Sequence, residues 1–312
     1  MKSAGFVFGA DGGGTKTLGM VADASGAVLA RHQVGATNPN VAGVEASARN
    51  LLELLLRCCS IAGCQPAALR AVVCGLAGVG SPAIRKSLED AIRQECFNRG
   101  LQNLSITLET DARIALEGAL DGGEGAVIIA GTGSIVLAKK PGGGTVRVGG
   151  FGKIVGDEGS GYFLGLEVLK AVARDIDGRG EAGNLRRAVE ARFGWNSRDE
   201  LIAAVYKEQF PIPSLAPILL DQARAGDTVS LDILEESAAH LARHVAPLFA
   251  AWPANLTLNI AFVGGLIETD TPYARILRRK LLAEFPRVSI VPQKQPPVIG
   301  AVILARQAAG LR

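Results

Sequence analysis

Residues 9–17 of this chain, Gly-Ala-Asp-Gly-Gly-Gly-Thr-Lys-Thr, form a glycine-rich segment between two apolar runs. The runs at 6–8 and 18–22 predict two strands that are joined by a tight turn. Three successive glycines have no side chains, so a phosphate group can approach their backbone N–H groups closely. Lys16 adds a positive charge, and Asp11 adds a carboxylate that suits a hydrated magnesium ion. The segment therefore predicts a nucleotide phosphate site.

The same segment, taken alone, also fits an ordinary glycine turn of a β-hairpin, and this is the more frequent case. It is not a Walker A loop, which needs G-x-x-x-x-G-K-[ST], nor the G-x-G-x-x-G pattern that opens a helix in dinucleotide-binding folds. The decision between a plain turn and a phosphate site depends on the rest of the chain.

Length and charge narrow the function classes. The 312 residues suffice for two domains, and a net charge of +3 with scattered Lys and Arg argues against nucleic acid and membrane-surface partners. No apolar stretch is long enough for a membrane span. The five cysteines form no C-x-x-C pair, which predicts free thiols and a cytoplasmic protein. His240 and His244 have metal-like spacing without an acidic third ligand, so helix packing or solvent exposure is the better interpretation.

The predicted elements occur twice in the same order. The first set starts with the hairpin and continues through a strand at 28–34, a helix at 45–61 and a strand at 71–74. A helix that starts at Pro82 and a strand at 104–108 follow. After a glycine-rich connector the order restarts, with strands and turns at 126–130, 131–134, 135–139, 145–148 and 258–263. This repetition predicts an internal duplication of an α/β unit, with a ligand bound between the halves.

Four segments resemble the motifs of a known superfamily. Residues 11–15, 131–134, 156–161 and 262–266 are similar to the phosphate-1, phosphate-2, connecting and adenosine motifs of the sugar kinase/Hsp70/actin superfamily. Within it, the chain resembles the N-acetylglucosamine kinase branch of the BadF/BadG/BcrA/BcrD ATPase family. The resemblance implies two duplicated ribonuclease H-like (actin-like ATPase) domains with an interdomain cleft.

The resemblance also implies a domain division and cofactors. We expect an N-terminal domain at 1–118, with the last helix at 297–312 packing back on it, and a C-terminal domain at 119–296. The resemblance implies ATP and Mg²⁺ as cofactors, with Asp11 as the metal ligand through water, because magnesium keeps part of its hydration shell. The resemblance assigns ATP to the glycine turns of both halves and to the adenosine motif; these residues are Gly13, Gly14, Thr15, Lys16, Thr132, Gly133, Gly264 and Gly265.

Asp111 is the candidate general base. It ends a predicted strand and precedes a helix at 112–120, where a carboxylate can accept the proton of an attacking sugar hydroxyl. By position alone, Asp111 would more often be a helix N-cap. The family match at 110–112 favours the catalytic role instead.

The remaining substrate residues follow from the resemblance. Asn38, Gly150, Phe151 and Asp157 match sugar-binding positions, together with Asp111. Phe151 stands where the family has Trp, and Lys153 stands where many relatives have His. These departures leave the substituent at the sugar 2-position open between acetamido and free amine.

We therefore predict an ATP-dependent kinase that phosphorylates the 6-hydroxyl of an amino sugar, N-acetylglucosamine first and glucosamine as the alternative. A reductase-activating ATPase would need an iron–sulfur cluster, yet the second half has no cysteine. A non-catalytic sugar sensor should lack the base, yet Asp111 is present. The amino sugar and ATP are the expected partners, and the resemblance allows a homodimer.

Overall fold

A computed structural model describes residues 5–311 of the chain. Its ten strands are β1 Phe6–Gly12, β2 Thr17–Ala22, β3 Val28–Val34, β4 Leu69–Leu76, β5 Ile106–Thr110, β6 Gly125–Ala130, β7 Ser134–Lys139, β8 Thr145–Gly149, β9 Leu258–Val263 and β10 Val288–Val291. Its helices are α1 Pro39–Ala42, α2 Val44–Ala62, α3 Pro82–Asn98, α4 Asp111–Ala119, α5 Gly161–Ile176, α6 Leu185–Phe193, α7 Arg198–Ile202, α8 Ala216–Arg224, α9 Thr228–Arg243, α10 Pro272–Glu284 and α11 Pro297–Ala308.

The strands form two five-stranded sheets with the same topology. The first has the order β3-β2-β1-β4-β5, and the second has the order β8-β7-β6-β9-β10. In each sheet the first three strands of the unit pair antiparallel, and the later two join in parallel. This confirms the duplicated α/β fold that the sequence predicts.

The chain divides into two compact units. The first unit ends at Gly123 and resumes at Gln293, and the second is Glu124–Pro292. The last helix, α11, thus belongs to the first unit although it lies at the far end of the sequence. It contacts α4, β1 and β4.

Helices cover both faces of the first sheet. Phe8 and Ala10 of β1 face a core that includes the leucines of α2, whereas Val7 faces Val298 and Val302 of α11. Successive side chains of a strand point to opposite faces, so β1 is apolar on both. Burial on both faces fixes the position of the strand and of the turn that follows it.

Helices α4 and α11 pack with almost no side chain between them. A Cβ atom added to Gly300 of α11 would lie 1.9 Å from the carbonyl oxygen of Ile114, and one added to Gly118 of α4 would lie 2.7 Å from the oxygen of Pro296. Only glycine allows backbones to approach this closely. Because Asp111 is the first residue of α4, this contact positions the candidate base.

The second unit has one large core beside its sheet. Side chains of β6, β7 and β9 pack there with helices α5, α8, α9 and α10. Tyr273 is its largest fully buried side chain. The region between β8 and β9 is rich in helices, and the sequence analysis predicts neither α10 nor β10.

Candidate active site

The first glycine turn connects β1 to β2 and is tighter than the sequence suggests. Asp11 and Gly12 still belong to β1, and the N–H group of Gly13 donates to the carbonyl of Lys16 at 3.0 Å. The N–H of Gly13 is therefore used by the turn itself. Gly14, Thr15 and Lys16 are exposed. Their backbone N–H groups and the ammonium group of Lys16 can bind an anion.

Two buried threonines stabilise this turn. The hydroxyls of Thr17 and Thr37 lie 2.8 Å apart, and both side chains are fully buried. The N–H of Thr37 donates to the carbonyl of Gly13 at 3.1 Å. A Cβ atom at Gly12 would lie 2.1 Å from the Thr37 hydroxyl, so this glycine makes the close approach possible. Thr17 belongs to the predicted glycine-rich segment, whereas its contact with Thr37 was not predicted. The two hydroxyls give the turn a fixed shape.

Asn38 follows directly and caps the short helix α1. Its side-chain oxygen accepts from the N–H of Asn40 at 2.9 Å, and its own N–H donates to Gly13. Asn38 thus lies directly beside the first glycine turn. The amide nitrogen of the Asn38 side chain can still donate to a sugar hydroxyl.

The carboxylates of Asp11 and Asp111 lie close enough in the first unit for their charges to interact. Burial, as the largest cause, and the negative charge of Asp111 together raise the pKa of Asp11 from 3.8 to about 6, although Lys16 opposes the shift. Two neighbouring carboxylates repel each other when both are ionised. A divalent cation beside Asp11 would relieve this cost, so the residues fit Mg²⁺.

Helix α4 presents Asp111 from its first turn. Its N-cap is Thr110, whose hydroxyl accepts from the N–H of Arg113 at 3.1 Å. The interpretation of Asp111 as the cap is therefore wrong, because the preceding residue already fills that position. One oxygen of Asp111 accepts from the N–H of Ala112 at 2.8 Å, and the side chain is exposed. Deeper in the helix, Arg113 pairs with the fully buried Glu117.

The second glycine turn, between β6 and β7, is attached to the start of α5. Gly131 donates to Gly133 at 3.0 Å, and the N–H groups of Gly161 and Tyr162 donate to the carbonyls of Gly131 and Thr132. The first N–H groups of a helix have no partner within it. Here the turn supplies two of those partners, so Thr132 is held in place with its side chain exposed.

The predicted substrate segment follows β8. Gly149, Gly150 and Gly152 all have positive φ angles, and Arg147 donates to the carbonyls of Gly149 and Gly150. The backbone therefore turns sharply and leaves Phe151 76% exposed. An aromatic ring held outward in this way can cover the apolar face of a sugar.

Asp157 has a φ of +58°, an uncommon conformation for a residue with a side chain. A Cβ atom at Gly133 would lie 2.9 Å from its Oδ2, so the carboxylate lies against the second glycine turn. The structure thus brings Asp157 together with Gly133. Helix α5 begins shortly after Asp157, at Gly161, with Ser160 as its N-cap.

A profile of the BadF/BadG/BcrA/BcrD ATPase family matches residues 8–305. The chain belongs to this family. An N-acetylmuramic acid/N-acetylglucosamine kinase of Clostridium acetobutylicum is 32% identical over 96% of this chain and 98% of its own length. A glucosamine kinase of Vibrio cholerae is 31% identical over 76% of this chain and 78% of its own length. A solved structure from Chromobacterium violaceum, a candidate N-acetylglucosamine kinase, covers 98% of this chain and all of its own, with a TM-score of 0.75 and 27% identity.

This member of the ATPase family also has the expected turn after β9. Gly264 has a φ of +99°, and a Cβ atom there would lie 2.5 Å from the carbonyl oxygen of Ala130. The next residue, Gly265, has open space around it and is exposed. The first glycine therefore lets the turn pack on β6, while the second leaves its backbone exposed.

The five cysteines of this ATPase all belong to the first unit. All five are free, as predicted, and all but Cys64 are buried in the first unit. Among residues 5–311, no group of three or more His, Cys, Asp or Glu side chains could hold a metal ion. Within the same range, no helix is long and apolar enough to cross a membrane.

Proposed function

We propose that this protein is an ATP-dependent amino-sugar kinase that transfers the γ-phosphoryl group to the 6-hydroxyl of N-acetylglucosamine. The observation that carries the proposal is the placement of Asp111. Its exposed carboxylate starts α4, in the same unit as the first glycine turn and close enough to Asp11 to raise its pKa. The curated relatives, which phosphorylate amino sugars according to their names, support the substrate class.

Asp111 would act as the general base. As the sugar oxygen forms a bond to the γ-phosphorus, the bond from that phosphorus to the β,γ-bridging oxygen breaks and ADP leaves. The hydroxyl proton passes to the carboxylate of Asp111. Phosphoryl transfer depends on positioning and charge neutralisation more than on covalent chemistry, and this suits a site built of fixed turns.

The glycine turns would bind the phosphate groups of ATP. Gly14, Thr15 and Lys16 offer hydrogen-bond donors in the first unit, and Thr132 and Gly133 offer them in the second. Gly13 contributes indirectly, because its N–H group is used to hold the shape of the turn. Gly264 and Gly265 would receive the adenosine. Mg²⁺ would be held by Asp11 through water, and it would supply neutralisation of the phosphate charge.

The sugar would contact Asn38 in the first unit and Gly150, Phe151 and Asp157 in the second. An amide, a carboxylate and an aromatic ring are the usual partners of hydroxyl groups and of an apolar sugar face. The alternative substrate is glucosamine, because Asp157 could also pair with a protonated amine. Cytoplasmic localisation and a homodimer complete the proposal, as the family resemblance suggests.

The decisive experiment is a substrate panel. Purified protein is mixed with MgATP and with N-acetylglucosamine, glucosamine, N-acetylmuramic acid, glucose or no sugar, and ADP release is measured. We expect the largest kcat/KM with N-acetylglucosamine. If kcat/KM is highest with glucosamine, glucosamine is the substrate and the reaction class is unchanged. Absence of sugar-dependent ADP release with every sugar would overturn the kinase.

A further inference from the structure

We propose that His244 is a positioning residue of the sugar site, acting through Glu158 on the conformation of Asp157. The inference rests on the proposed function, because Asp157 is assigned there to the sugar. It gives a role to a histidine whose spacing from His240 suggested helix packing or solvent exposure. All of the residues involved lie in the second unit.

His244 lies at the end of α9 and makes two polar contacts. Its Nδ1 is 3.1 Å from the carbonyl oxygen of His240, and its Nε2 is 3.4 Å from Oε2 of Glu158. A carbonyl oxygen and an ionised carboxylate can only accept, so the two contacts together need a proton on each ring nitrogen, with Nδ1 donating to the carbonyl and Nε2 to Glu158. The side chain of His244 is only 14% exposed, so the ring has little freedom to leave this position.

The backbone around Glu158 is held from two other elements. The hydroxyl of Ser134, in the second glycine turn, donates to the carbonyl of Glu158 at 2.8 Å. The buried hydroxyl of Tyr273 donates to the carbonyl of Gly159 at 2.9 Å. His244 is the group in the described part of the chain that holds the Glu158 side chain.

These contacts matter because Asp157 needs external support. A non-glycine residue with a φ near +58° is strained, and it keeps that conformation when its neighbours are fixed. Glu158 is the adjacent residue, and anchoring it at both backbone and side chain restricts the peptide that follows Asp157. The carboxylate of Asp157 then stays against Gly133.

His244 also contacts the other end of the substrate segment. A Cβ atom added to Gly149 would lie 2.7 Å from Cδ2 of His244, so the ring packs directly on this glycine. Arg147 holds the carbonyls of Gly149 and Gly150 from the strand that precedes them. One histidine thus touches both the start and the end of the loop that carries Phe151 and Asp157.

The test compares four variants in the sugar kinase assay: His244→Leu, His244→Gln, Glu158→Gln and the control His240→Gln. His240 precedes His244 by one turn of α9, but its exposed ring lies near Phe163, with the ring centres 5.8 Å apart. We expect His244→Leu to raise the KM for the sugar about tenfold, the usual effect of losing one charge-assisted contact. The KM for ATP should stay within about twofold. His244→Gln, which can still donate to Glu158, should restore part of the sugar affinity.

Glu158→Gln should raise the sugar KM as well. In the double variant His244→Leu/Glu158→Gln, the rise in KM should be smaller than the product of the two single rises, because both substitutions remove the same contact. An unchanged sugar KM in His244→Leu and His244→Gln would overturn the inference. An equal rise in the KM for ATP would also overturn it, since that pattern indicates general loosening of the unit. If wild-type protein shows no sugar-dependent turnover, the proposed function itself fails, and the inference with it.

Discussion

The carboxylate of Asp11, at the end of β1, lies close enough to that of Asp111, at the start of α4, for the two charges to interact. Burial is the main cause that raises the pKa of Asp11 to about 6, and the charge of Asp111 adds to it. Seven strands and helices separate these residues in the sequence. The parallel pairing of β1, β4 and β5 brings the carboxyl ends of these strands to the same end of the sheet. Their proximity connects the metal ligand to the base in the proposed reaction.

Replacement of Asp111 by Asn should lower kcat by about 10²–10⁴-fold, because the amide cannot accept the hydroxyl proton. Binding of MgATP, measured by calorimetry, should persist. Glu109→Gln is the matched control, since Glu109 lies in β5 just before the site. A near-normal kcat in Asp111→Asn would remove this residue as the base.

Replacement of Asp11 by Asn should stabilise the nucleotide-free protein at neutral pH. The pKa of Asp11 is raised from 3.8 to about 6 in the folded state, so the folded protein binds the proton more tightly than the unfolded chain. Ionisation therefore costs folding free energy as the pH rises from about 4 to about 6, by roughly 1 to 3 kcal/mol. Thermal unfolding at several pH values tests this: the advantage of the variant should be absent at pH 4 and full at pH 7.5.

The same substitution should impair activation by magnesium. An amide is a weaker ligand of hydrated Mg²⁺ than a carboxylate, so Asp11→Asn should need a higher metal concentration for half-maximal activity. Titration of Mg²⁺ at fixed ATP measures the effect. An unchanged requirement for the metal would contradict the assignment of Asp11.

Gly300→Ala should destabilise the first unit by about 2–3 kcal/mol, because its Cβ atom would meet the carbonyl of Ile114 at 1.9 Å and push α11 away from α4. Displacement of α4 also displaces Asp111, so kcat should fall as well. Gly80→Ala is the control, since a Cβ atom there has open space. Urea unfolding and steady-state kinetics distinguish the two variants, and equal stability would contradict the tight packing.

Asp227→Ala should destabilise the second unit by about 1–2 kcal/mol. Asp227 caps α9, and it accepts from the N–H of Asn184 at 2.9 Å and from the N–H and hydroxyl of Ser230. Burial alone would raise its pKa, but these hydrogen bonds outweigh burial and lower the pKa below 3.8. The carboxylate therefore contributes stability above about pH 4, and this contribution is lost as the pH falls through the lowered pKa.

The control for this cap is Asp221→Ala, which removes an exposed carboxylate paired with Arg224 on the surface of α8. Such pairs contribute little to stability, so its unfolding midpoint should stay near that of wild type. If the two variants unfold at the same temperature at pH 7, the buried cap does not have the stabilising role assigned to it.

Local sequence signals were sufficient for much of the fold. The strand at Val28–Val34 and the strand at Leu258–Val263 were predicted with the bounds that the structure has, because apolar runs between turn residues are strong signals. Helix α10 was missed although Thr271 caps it and Pro272 opens it, a combination typical of a helix start. The four-residue strand β10 is too short to give a clear pattern.

The sequence predicted the parts of the candidate site that lie in short motifs. It did not predict the parts that depend on contacts between distant residues. Asp111 and the glycine turns stand in recognisable segments, whereas the contact of His244 with Glu158 joins a helix end to a loop far away in the sequence. The positive φ of Asp157 was also hidden, because its neighbours impose it.

The sequence by itself determined the family, the duplicated order of strands and helices, and the types of residue available for phosphate, metal and sugar. The family and the site residues follow from the resemblance of short motifs, and the order of strands and helices follows from local composition and periodicity along the chain. Only the tertiary structure decided that the N–H of Gly13 is used by its own turn, that Thr110 rather than Asp111 caps α4, and that Asp11 is a carboxylate with a raised pKa. Hydrogen-bond partners, burial and charge proximity arise from residues brought together by folding, and they set the chemistry of each group.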